Sequence, residues 1–270
     1  MRFSTIPIIA ALAKIGAALY VIEDNYPISS AFFDHFNFIT GEDPTHGYVQ
    51  FVDRAAAQSA DYISIKDNAV YIGADHSNVA TSSGRQSVHM SSVKTYTRGL
   101  FIVDLGHMPD SICGTWPAVW TVGPTWPNDG EINIIEGVNQ QTRNRMTLHT
   151  NTGCSINNSG FYGELITDNC GETNQSAKVG CSIDSYSSTS YGGGFNHIGG
   201  GVYALEWTSS AINIWFFPRG SVPANVDSLS PDPSTWGTPT TRLSDTCDID
   251  HHFRNHSIFR STDFRYHVLR

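Results

Sequence analysis

The stretch Gly130-Glu131-Ile132-Asn133-Ile134-Ile135-Glu136-Gly137 places two glutamates in a run of β-branched residues. Isoleucine favours a pleated backbone, and the preceding Pro127-Asn128-Asp129 is typical of a turn, so the run predicts a strand entered from a tight turn. In a regular strand, Glu131 and Asn133 share a face while Glu136 points the other way. A β-bulge at Ile134-Ile135 adds one residue and brings the three polar side chains onto one face.

This arrangement brings two carboxyl groups together. At about 3.3 Å per residue, four effective steps separate the Cα atoms of Glu131 and Glu136 by roughly 13 Å, and side chains that lean together reduce the carboxyl separation to about 5 or 6 Å. Retaining glycosidases hold their two carboxyl groups about 5 to 5.5 Å apart, whereas inverting enzymes hold them about 6.5 to 9.5 Å apart. The spacing therefore favours a retaining glycosidase.

The run resembles the bulged Glu-x-Asp-x-x-Glu signature of glycoside hydrolase family 16, and its flanks resemble the fungal laminarinase (endo-1,3(4)-β-glucanase) branch. The flanking motifs stand in the family's order over residues 24 to 256: Thr45-His46-Gly47-Tyr48-Val49, Arg98-Gly99-Leu100-Phe101-Ile102, His107-Met108-Pro109, Cys113-Gly114-Thr115-Trp116-Pro117-Ala118-Val119-Trp120, Met146-Thr147-Leu148-His149-Thr150 and Ile214-Trp215-Phe216-Phe217-Pro218-Arg219. The resemblance implies an all-β, concanavalin-like jelly-roll sandwich of two antiparallel sheets. It also implies endo-acting, retaining hydrolysis of β-1,3- or mixed β-1,3/1,4-glucan.

The resemblance also implies catalytic roles. Glu131 would be the nucleophile that attacks the anomeric carbon, and Glu136 would be the acid/base that first protonates the leaving oxygen and then activates water. The family has Asp where this chain has Asn133. Asparagine can donate a hydrogen bond to Glu131 but cannot titrate, so we expect slower chemistry rather than none.

Tryptophans are concentrated just before the catalytic strand. Aromatic faces pack against the C–H faces of pyranose rings, which suits a glucan cleft. By the family pattern, Trp120 and Trp126 are sugar platforms, and Trp116 is either a platform or a core residue. Trp207 and Trp215 alternate with aliphatic residues, and we expect both in the core.

Two histidines are further candidates for substrate binding. His149 would contact Glu131 or a sugar hydroxyl, and the alternative is a half-buried structural histidine. His89 lies where relatives often carry Arg, so we expect one weaker hydrogen bond to substrate. The other nine histidines show no ligand spacing, and we expect no catalytic metal and no cofactor.

Composition restricts the class of partner. The chain has 270 residues, 24 glycines, 15% charged residues and a net charge of -9, which suits one large all-β domain. A net acid attracts neither nucleic acid nor an anionic membrane, so neither is expected as partner. We expect a monomer that binds a neutral polysaccharide.

Short β-rich segments recur along the chain, and no segment shows helical periodicity over more than two turns. The strand predictions beside the glutamate strand are 47–52, 62–66, 69–73, 87–92, 98–105, 118–122, 145–150, 202–208 and 211–217. Residues 151 to 200 are rich in Gly, Ser and Asn and predict one long excursion. Its glycine runs, Tyr191–Phe195 and Gly199–Gly201, predict flexible rim loops.

The N-terminus resembles a secretion signal. A basic start followed by apolar residues predicts a signal-peptide-like segment over 1–18 and one catalytic domain over 19–270, although Lys14 interrupts the apolar run. The alternative is a packed N-terminal segment. Secretion would place the chain outside the cell or at the cell wall and would make three sequons glycosylation sites, at Asn157, Asn174 and Asn255.

Five cysteines predict two disulfides with one cysteine left over, and one bridge is expected among Cys154, Cys170 and Cys181. The sequence after Cys247 departs from the family. We expect a shortened C-terminal region without a strand, which would open a sheet edge and leave Cys247 unpaired.

Asn133 and the shortened C-terminal region keep a second class of function open, a glucan-binding protein with weak or absent catalysis. A third hypothesis is a cell-wall transglycosylase, in which a sugar hydroxyl replaces water in the second step.

Overall fold

The computed structural model describes residues 20–43, 45–80, 84–171 and 179–261, together with the backbone of 267–269. The predicted signal segment and the sequon at Asn174 lie outside the described residues.

Strands dominate the described part of the chain. They are β1 (Ile22–Asp24), β2 (Phe36–Phe38), β3 (Val49–Phe51), β4 (Ile63–Lys66), β5 (Ala69–Ile72), β6 (Arg85–Ser87), β7 (His89–Ser92), β8 (Gly99–Leu105), β9 (Ala118–Val122), β10 (Glu131–Glu136), β11 (Arg145–His149), β12 (Glu164–Thr167), β13 (Cys181–Asp184), β14 (Gly201–Trp207), β15 (Ala211–Pro218), β16 (Thr241–Ser244), β17 (Ser257–Ser261) and β18 (His267–Leu269).

The α-helices within the described ranges are short: α1 (Arg54–Ser59), α2 (Gly192–His197) and α3 (Ile249–His252). Three 3₁₀ turns accompany them, at Ser30–His35, Arg219–Ser221 and Pro233–Thr235. No helix in these ranges has the length and apolar character needed to cross a membrane.

Two large antiparallel sheets form the sandwich. One has six strands in the order β1-β18-β8-β14-β15-β16, and the other has eight in the order β12-β13-β11-β10-β9-β17-β7-β2. Small pairs, β3 with β6 and β4 with β5, complete the described strands. This confirms the all-β jelly-roll sandwich, with the glutamate strand β10 in the interior of the eight-stranded sheet.

The main apolar core lies between the two sheets. β10 contributes Ile132, Ile134 and Ile135 to it, and all three are almost fully buried. Trp207 lies in this core, as predicted. Trp215 is also buried, but it packs in a second apolar cluster with Trp236, so the six-stranded sheet is covered on both faces.

The turn into β10 forms as its residues predict. The Gly130 amide donates to the Pro127 carbonyl over 3.2 Å. Gly130 has a φ of +78°, and a Cβ there would lie 2.4 Å from the Phe253 ring. Glycine is needed for both the backbone conformation and the close packing, and the turn therefore fixes where β10 begins.

The region 151–200 differs from the expected excursion. It contains β12 and β13, which extend the eight-stranded sheet beyond β11, and the glycine run after Tyr191 forms helix α2. The prediction of a flexible loop at Tyr191–Phe195 is therefore wrong. Composition misled because Gly and Ser are poor guides to strands whose pairing is set by neighbours.

The C-terminal region also differs from expectation. β17 lies between β9 and β7, and β18 lies between β1 and β8. The region after Cys247 therefore supplies an interior strand to each sheet, and the expected loss of a family strand with its open edge stays a prediction. Cys247 is not unpaired, because it bonds Cys154 across 93 residues of sequence.

The second bridge joins Cys170 to Cys181, which confirms a disulfide among the three cysteines that are close in sequence. Cys113 is the remaining cysteine and is exposed.

Candidate active site

A bulge in β10 places its three polar residues on one face. Asn133 pairs with Trp120 of β9, and the next pairing on that side is Ile135 with Val119, so Ile134 is the extra residue. Glu136 then pairs with Ala118. The predicted bulge is confirmed, and it turns Glu136 to the face that carries Glu131 and Asn133.

The surroundings of Glu136 raise the pKa of its carboxyl group. Burial is the main cause that raises the pKa of Glu136, and the negative charge of Glu131 raises it further. The charge of His149 and hydrogen bonds from Trp116 and Thr147 oppose this rise without cancelling it. The pKa of Glu136 therefore stays above its ordinary value, which suits a carboxyl that must deliver a proton.

Trp116 lies at the rim beside this acid. Its indole Nε1–H donates to Oε1 of Glu136 over 3.1 Å, and half of the residue's surface is exposed. The alternative that Trp116 is a core residue is therefore wrong.

Trp126 and His149 lie near Glu131, at the opposite end of β10 from Trp116 and Glu136. Trp126 is 36% exposed, and its ring centroid lies 6.2 Å from that of His149. His149 is buried and pairs across the ladder with Glu131. The structure thus brings His149 beside the carboxyl that the resemblance makes the nucleophile.

On the side of β10 toward β9, β17 and β7, the face that carries the glutamates continues as an aromatic cluster. The rings of Trp120 and Phe259 stack with centroids 5.4 Å apart, and His89 packs against both and against Phe51. Phe51 and Phe259 are missed by sequence reasoning. The alternation in β17 marks Phe259 as pointing away from the core, but only strand pairing brings it beside Trp120.

His89 is a neutral polar group inside this cluster. Burial lowers its pKa to about 4, although the charge of Asp43 opposes the shift. Neither ring nitrogen has a hydrogen-bond partner among the described residues.

The opposite half of the face is polar. Arg145 forms two hydrogen bonds to Asp184, of 2.6 and 2.9 Å, and Arg143 bonds Glu164 over 2.9 Å. The bond with Asp184 is the main cause that raises the pKa of Arg145, and the charge of Glu136 adds to it. The face is therefore aromatic on the side of β9, β17 and β7, and ionic on the side of β11, β13 and β12.

A further polar residue that sequence reasoning missed lies directly behind the bulge. Asn144 is fully buried and bonds the backbone of β10 at two points. Nothing in its local sequence distinguishes it from an ordinary turn asparagine.

Among the described residues, three potential metal-ligand atoms meet at Cys154, Cys247 and His252, within 4.8 Å of one another. The two sulfur atoms are joined in a disulfide, so they are not the thiolates that bind metals.

The sequence matches known proteins over most of its length. Residues 36–265 match the family model for the XgeA-like catalytic domain of glycoside hydrolase family 16 (GH16). An endo-1,3(4)-β-glucanase of Arthroderma benhamiae is 46% identical over 98% of this chain and 59% of its own length. The endo-1,3(4)-β-glucanase xgeA of Emericella nidulans is 40% identical over 95% of this chain and 42% of its own length. The chain therefore spans about half the length of these relatives.

Two solved structures are similar to this chain in both fold and sequence. An elongating GH16 β-1,3-glucosyltransferase is 42% identical with a TM-score of 0.84, over 91% of this chain and 82% of its own. Laminarinase 16A from Phanerochaete chrysosporium, with 6-O-glucosyl-laminaritriose in donor and acceptor sites, is 40% identical with a TM-score of 0.86, over 92% and 85%. With the bulged glutamate strand and the family match over residues 36–265, these similarities show that the chain belongs to glycoside hydrolase family 16, among its XgeA-like catalytic domains.

Proposed function

We propose that this chain is an endo-acting, retaining glycoside hydrolase that cleaves β-1,3- or mixed β-1,3/1,4-glucan by double displacement. The observation that carries the proposal is the bulge that places Glu131 and Glu136 on one face, with the pKa of Glu136 raised by burial and by the charge of Glu131. The relatives named endo-1,3(4)-β-glucanase support the substrate class.

In the first step, the Glu131 carboxylate attacks the anomeric carbon while Glu136 gives its proton to the leaving oxygen. In the second step, Glu136 accepts a proton from water, and the water releases the sugar from Glu131. The proton returns to Glu136, so the carboxyl group is ready for another cycle. The charge on Glu131 is neutralised in the intermediate, which lowers the pKa of Glu136 when it must act as a base.

The remaining predicted residues would hold the glucan. Trp120 and its stacked neighbour Phe259 offer ring faces to the apolar sides of glucose units. Trp116 and Trp126, both exposed at the rim, would contact the sugars nearest the carboxyl pair. His149 and His89 would donate or accept single hydrogen bonds from sugar hydroxyls.

The direct test is reducing-end release from laminarin by the purified chain. We expect release by the wild type and a loss of at least about a thousandfold in Glu131→Gln, since the nucleophile is removed without changing side-chain size. Glu206→Gln, in the six-stranded sheet, makes the same chemical change away from the cleft and should keep full activity. A folded wild-type chain that shifts in melting temperature with laminarin but releases no reducing ends would instead be a glucan-binding protein.

A second candidate is glycosyl transfer, in which a sugar hydroxyl replaces water in the second step. The 42% identity to an elongating β-1,3-glucosyltransferase favours testing it. Incubation with laminariheptaose separates the two reactions by mass spectrometry. Products longer than the substrate indicate transfer, and shorter products alone indicate hydrolysis.

We also propose that residues 1–18 are a signal segment, that 19–270 form one domain and that the chain is secreted as a monomer. Two disulfides suit an oxidising compartment. The sequon residues Asn157 and Asn255 are exposed, so glycosylation can reach them. Expression in a yeast secretion host should give a monomeric product in the medium that an endoglycosidase shortens. Retention in the cell would contradict the proposal.

A further inference from the structure

We propose that Asn144 is a positioning residue, which holds the acid/base carboxyl of Glu136 in the cleft by fixing the bulge of β10. This inference rests on the proposed function, because the role of Glu136 as acid/base is part of that function. Asn144 touches neither the glucan nor the reacting atoms, and it acts through the backbone of its neighbour strand.

The regular pairing of β10 with β11 ends at Asn133, and the side chain of Asn144 forms the next hydrogen bonds to β10. The ladder of β10 and β11 runs from Glu131 to Asn133, and β11 itself begins at Arg145. Beyond that point, the Asn144 Nδ2 donates to the carbonyl of Ile134, and its Oδ1 accepts from the amide of Glu136, both over 2.9 Å. The side-chain amide therefore takes the place that a strand peptide would occupy.

Both bonds reach the residues that define the bulge. Ile134 is the extra residue of the strand, and Glu136 is the residue whose direction the bulge reverses. Without the extra residue, Glu136 would point toward the core between the sheets and away from Glu131. A contact that stabilises the bulge therefore also fixes the direction of the Glu136 side chain.

Asn144 is well suited to this task. It is fully buried, and its backbone N–H donates to Oγ of Ser190 over 2.9 Å, which fixes the backbone from which the side chain extends. Asparagine carries a donor NH2 group and an acceptor carbonyl oxygen on a single short planar group. Aspartate would lack the donor, and leucine, of similar size, would lack both.

Loss of Asn144 should move the Glu136 carboxyl out of its present environment. The pKa of Glu136 is raised first by burial and then by the charge of Glu131. A carboxyl that drifts from both should titrate closer to its ordinary value. The acid would then be misplaced and ionised at a lower pH, while the aromatic cluster that binds distant sugars stays intact.

The experiment compares two substrates that differ in their need for an acid. Laminarin has a poor leaving group that must be protonated, whereas 2,4-dinitrophenyl β-laminaribioside has a leaving group that departs unaided. For Asn144→Leu we expect kcat on laminarin to fall roughly a hundredfold, the range for loss of general acid catalysis, with KM changed less than about threefold. The kcat/KM for the dinitrophenyl substrate, which reports only the first step and so does not need the acid, should fall less than about fivefold. The alkaline limb of the laminarin profile should move to lower pH.

The chain offers a matched control. Asn213 on β15 is also buried, and its side chain also donates one hydrogen bond, to Glu206, and accepts one, from Arg242. Asn213→Leu should lower thermal stability while leaving the ratio of the two substrate rates unchanged. If Asn144→Leu does not fold, Asn144→Ser removes at least one bond without adding charge and is judged by the same ratio.

Equal losses of kcat/KM on the two substrates, with an unmoved pH profile, would overturn the inference and leave Asn144 a purely structural residue. A wild type that is inactive on laminarin would refute the proposed function instead. The inference is then judged by ¹³C NMR titration of Glu136, with Glu136→Gln used to assign its signal. A Glu136 pKa that is the same in the wild type and in the Asn144 variant would overturn it.

Discussion

The indole Nε1–H of Trp116 and the Oε1 of Glu136 are joined by a hydrogen bond of 3.1 Å. A half-exposed ring at the rim of the cleft is thereby connected to the carboxyl whose protonation the proposed reaction requires. A sugar that packs on this ring would lie directly beside the proton that its glycosidic oxygen must receive.

Trp116→Phe removes the hydrogen bond and keeps an aromatic ring. That bond stabilises the ionised form of Glu136 and so lowers its pKa, which means that its loss should raise the pKa further. We expect the alkaline limb of kcat/KM on laminarin to move to higher pH. Trp236→Phe removes another indole donor far from the cleft and should leave the limb in place. A limb that moves to lower pH in Trp116→Phe would contradict the prediction.

Asn133→Asp restores the carboxylate that the family signature carries between the two glutamates. A titrating group beside Glu131 can share its proton, so we expect kcat on laminarin to rise about tenfold, equal to about 1.4 kcal/mol in the barrier. The added negative charge should also raise the pKa of Glu136. Asn37→Asp adds the same charge on β2 and should not change kcat. An unchanged or lower kcat in Asn133→Asp would count against the prediction.

Phe259→Ala removes half of the stacked pair that it forms with Trp120. Because the ring lies two strands from β10, its loss should weaken glucan binding without disturbing the carboxyl groups. We expect KM for laminarin to rise roughly tenfold with kcat nearly unchanged, the scale of one aromatic contact. Phe217→Ala, in the other apolar cluster, should change stability but not KM. Steady-state kinetics on both variants decide the matter.

His256 should make stability depend on pH. Burial lowers its pKa from 6.5 to about 4, and its ring bonds Thr121 over 2.8 Å and the Asp129 carbonyl over 2.7 Å. The unfolded chain binds this proton more readily than the folded chain, so stability should fall as the pH drops from 6.5 to 4. The loss from this residue is roughly 3 kcal/mol, from 1.36 kcal/mol per pKa unit.

Urea unfolding of the wild type and of His256→Gln measures this contribution. The variant should be less stable at pH 7 and should lose less stability on acidification. Equal slopes for the two chains between pH 6.5 and 4 would show that His256 is not the titrating group.

The two disulfides should contribute unequally. Cys154–Cys247 closes a loop of 93 residues and Cys170–Cys181 one of 11, and loop-closure entropy gives about 4.7 and about 2.8 kcal/mol. Cys247→Ser should therefore lower the urea midpoint more than Cys181→Ser. Cys113→Ser, at the exposed free cysteine, should leave the midpoint unchanged. The opposite order of the two bridge variants would show that native-state effects outweigh loop length.

The sequence could predict the part of the site that depends on one strand segment alone. Isoleucines between the two glutamates predict a strand, and the odd spacing between Glu131 and Glu136 requires a bulge if both are to act together. Strand alternation along one segment is enough for that inference.

The missed residues act through pairing between distant segments. Phe259 lies beside Trp120 because β17 enters the sheet next to β9, and Cys154 meets Cys247 for the same kind of reason. Asn144 is close in sequence to Glu136, but its role depends on a side chain that replaces a strand peptide. Local propensity carries no information on such contacts.

The position of β17 constrains the order in which the protein can be assembled. Residues 257–261 are the last part of the eight-stranded sheet to be synthesised, yet they lie between β9 and β7, which are made more than 130 residues earlier. Until β17 arrives, Trp120 on β9 and His89 on β7 have no strand between them. During synthesis, the aromatic half of the cleft therefore forms after the strand that carries the two glutamates, and contacts of such long sequence separation are the slow ones in folding.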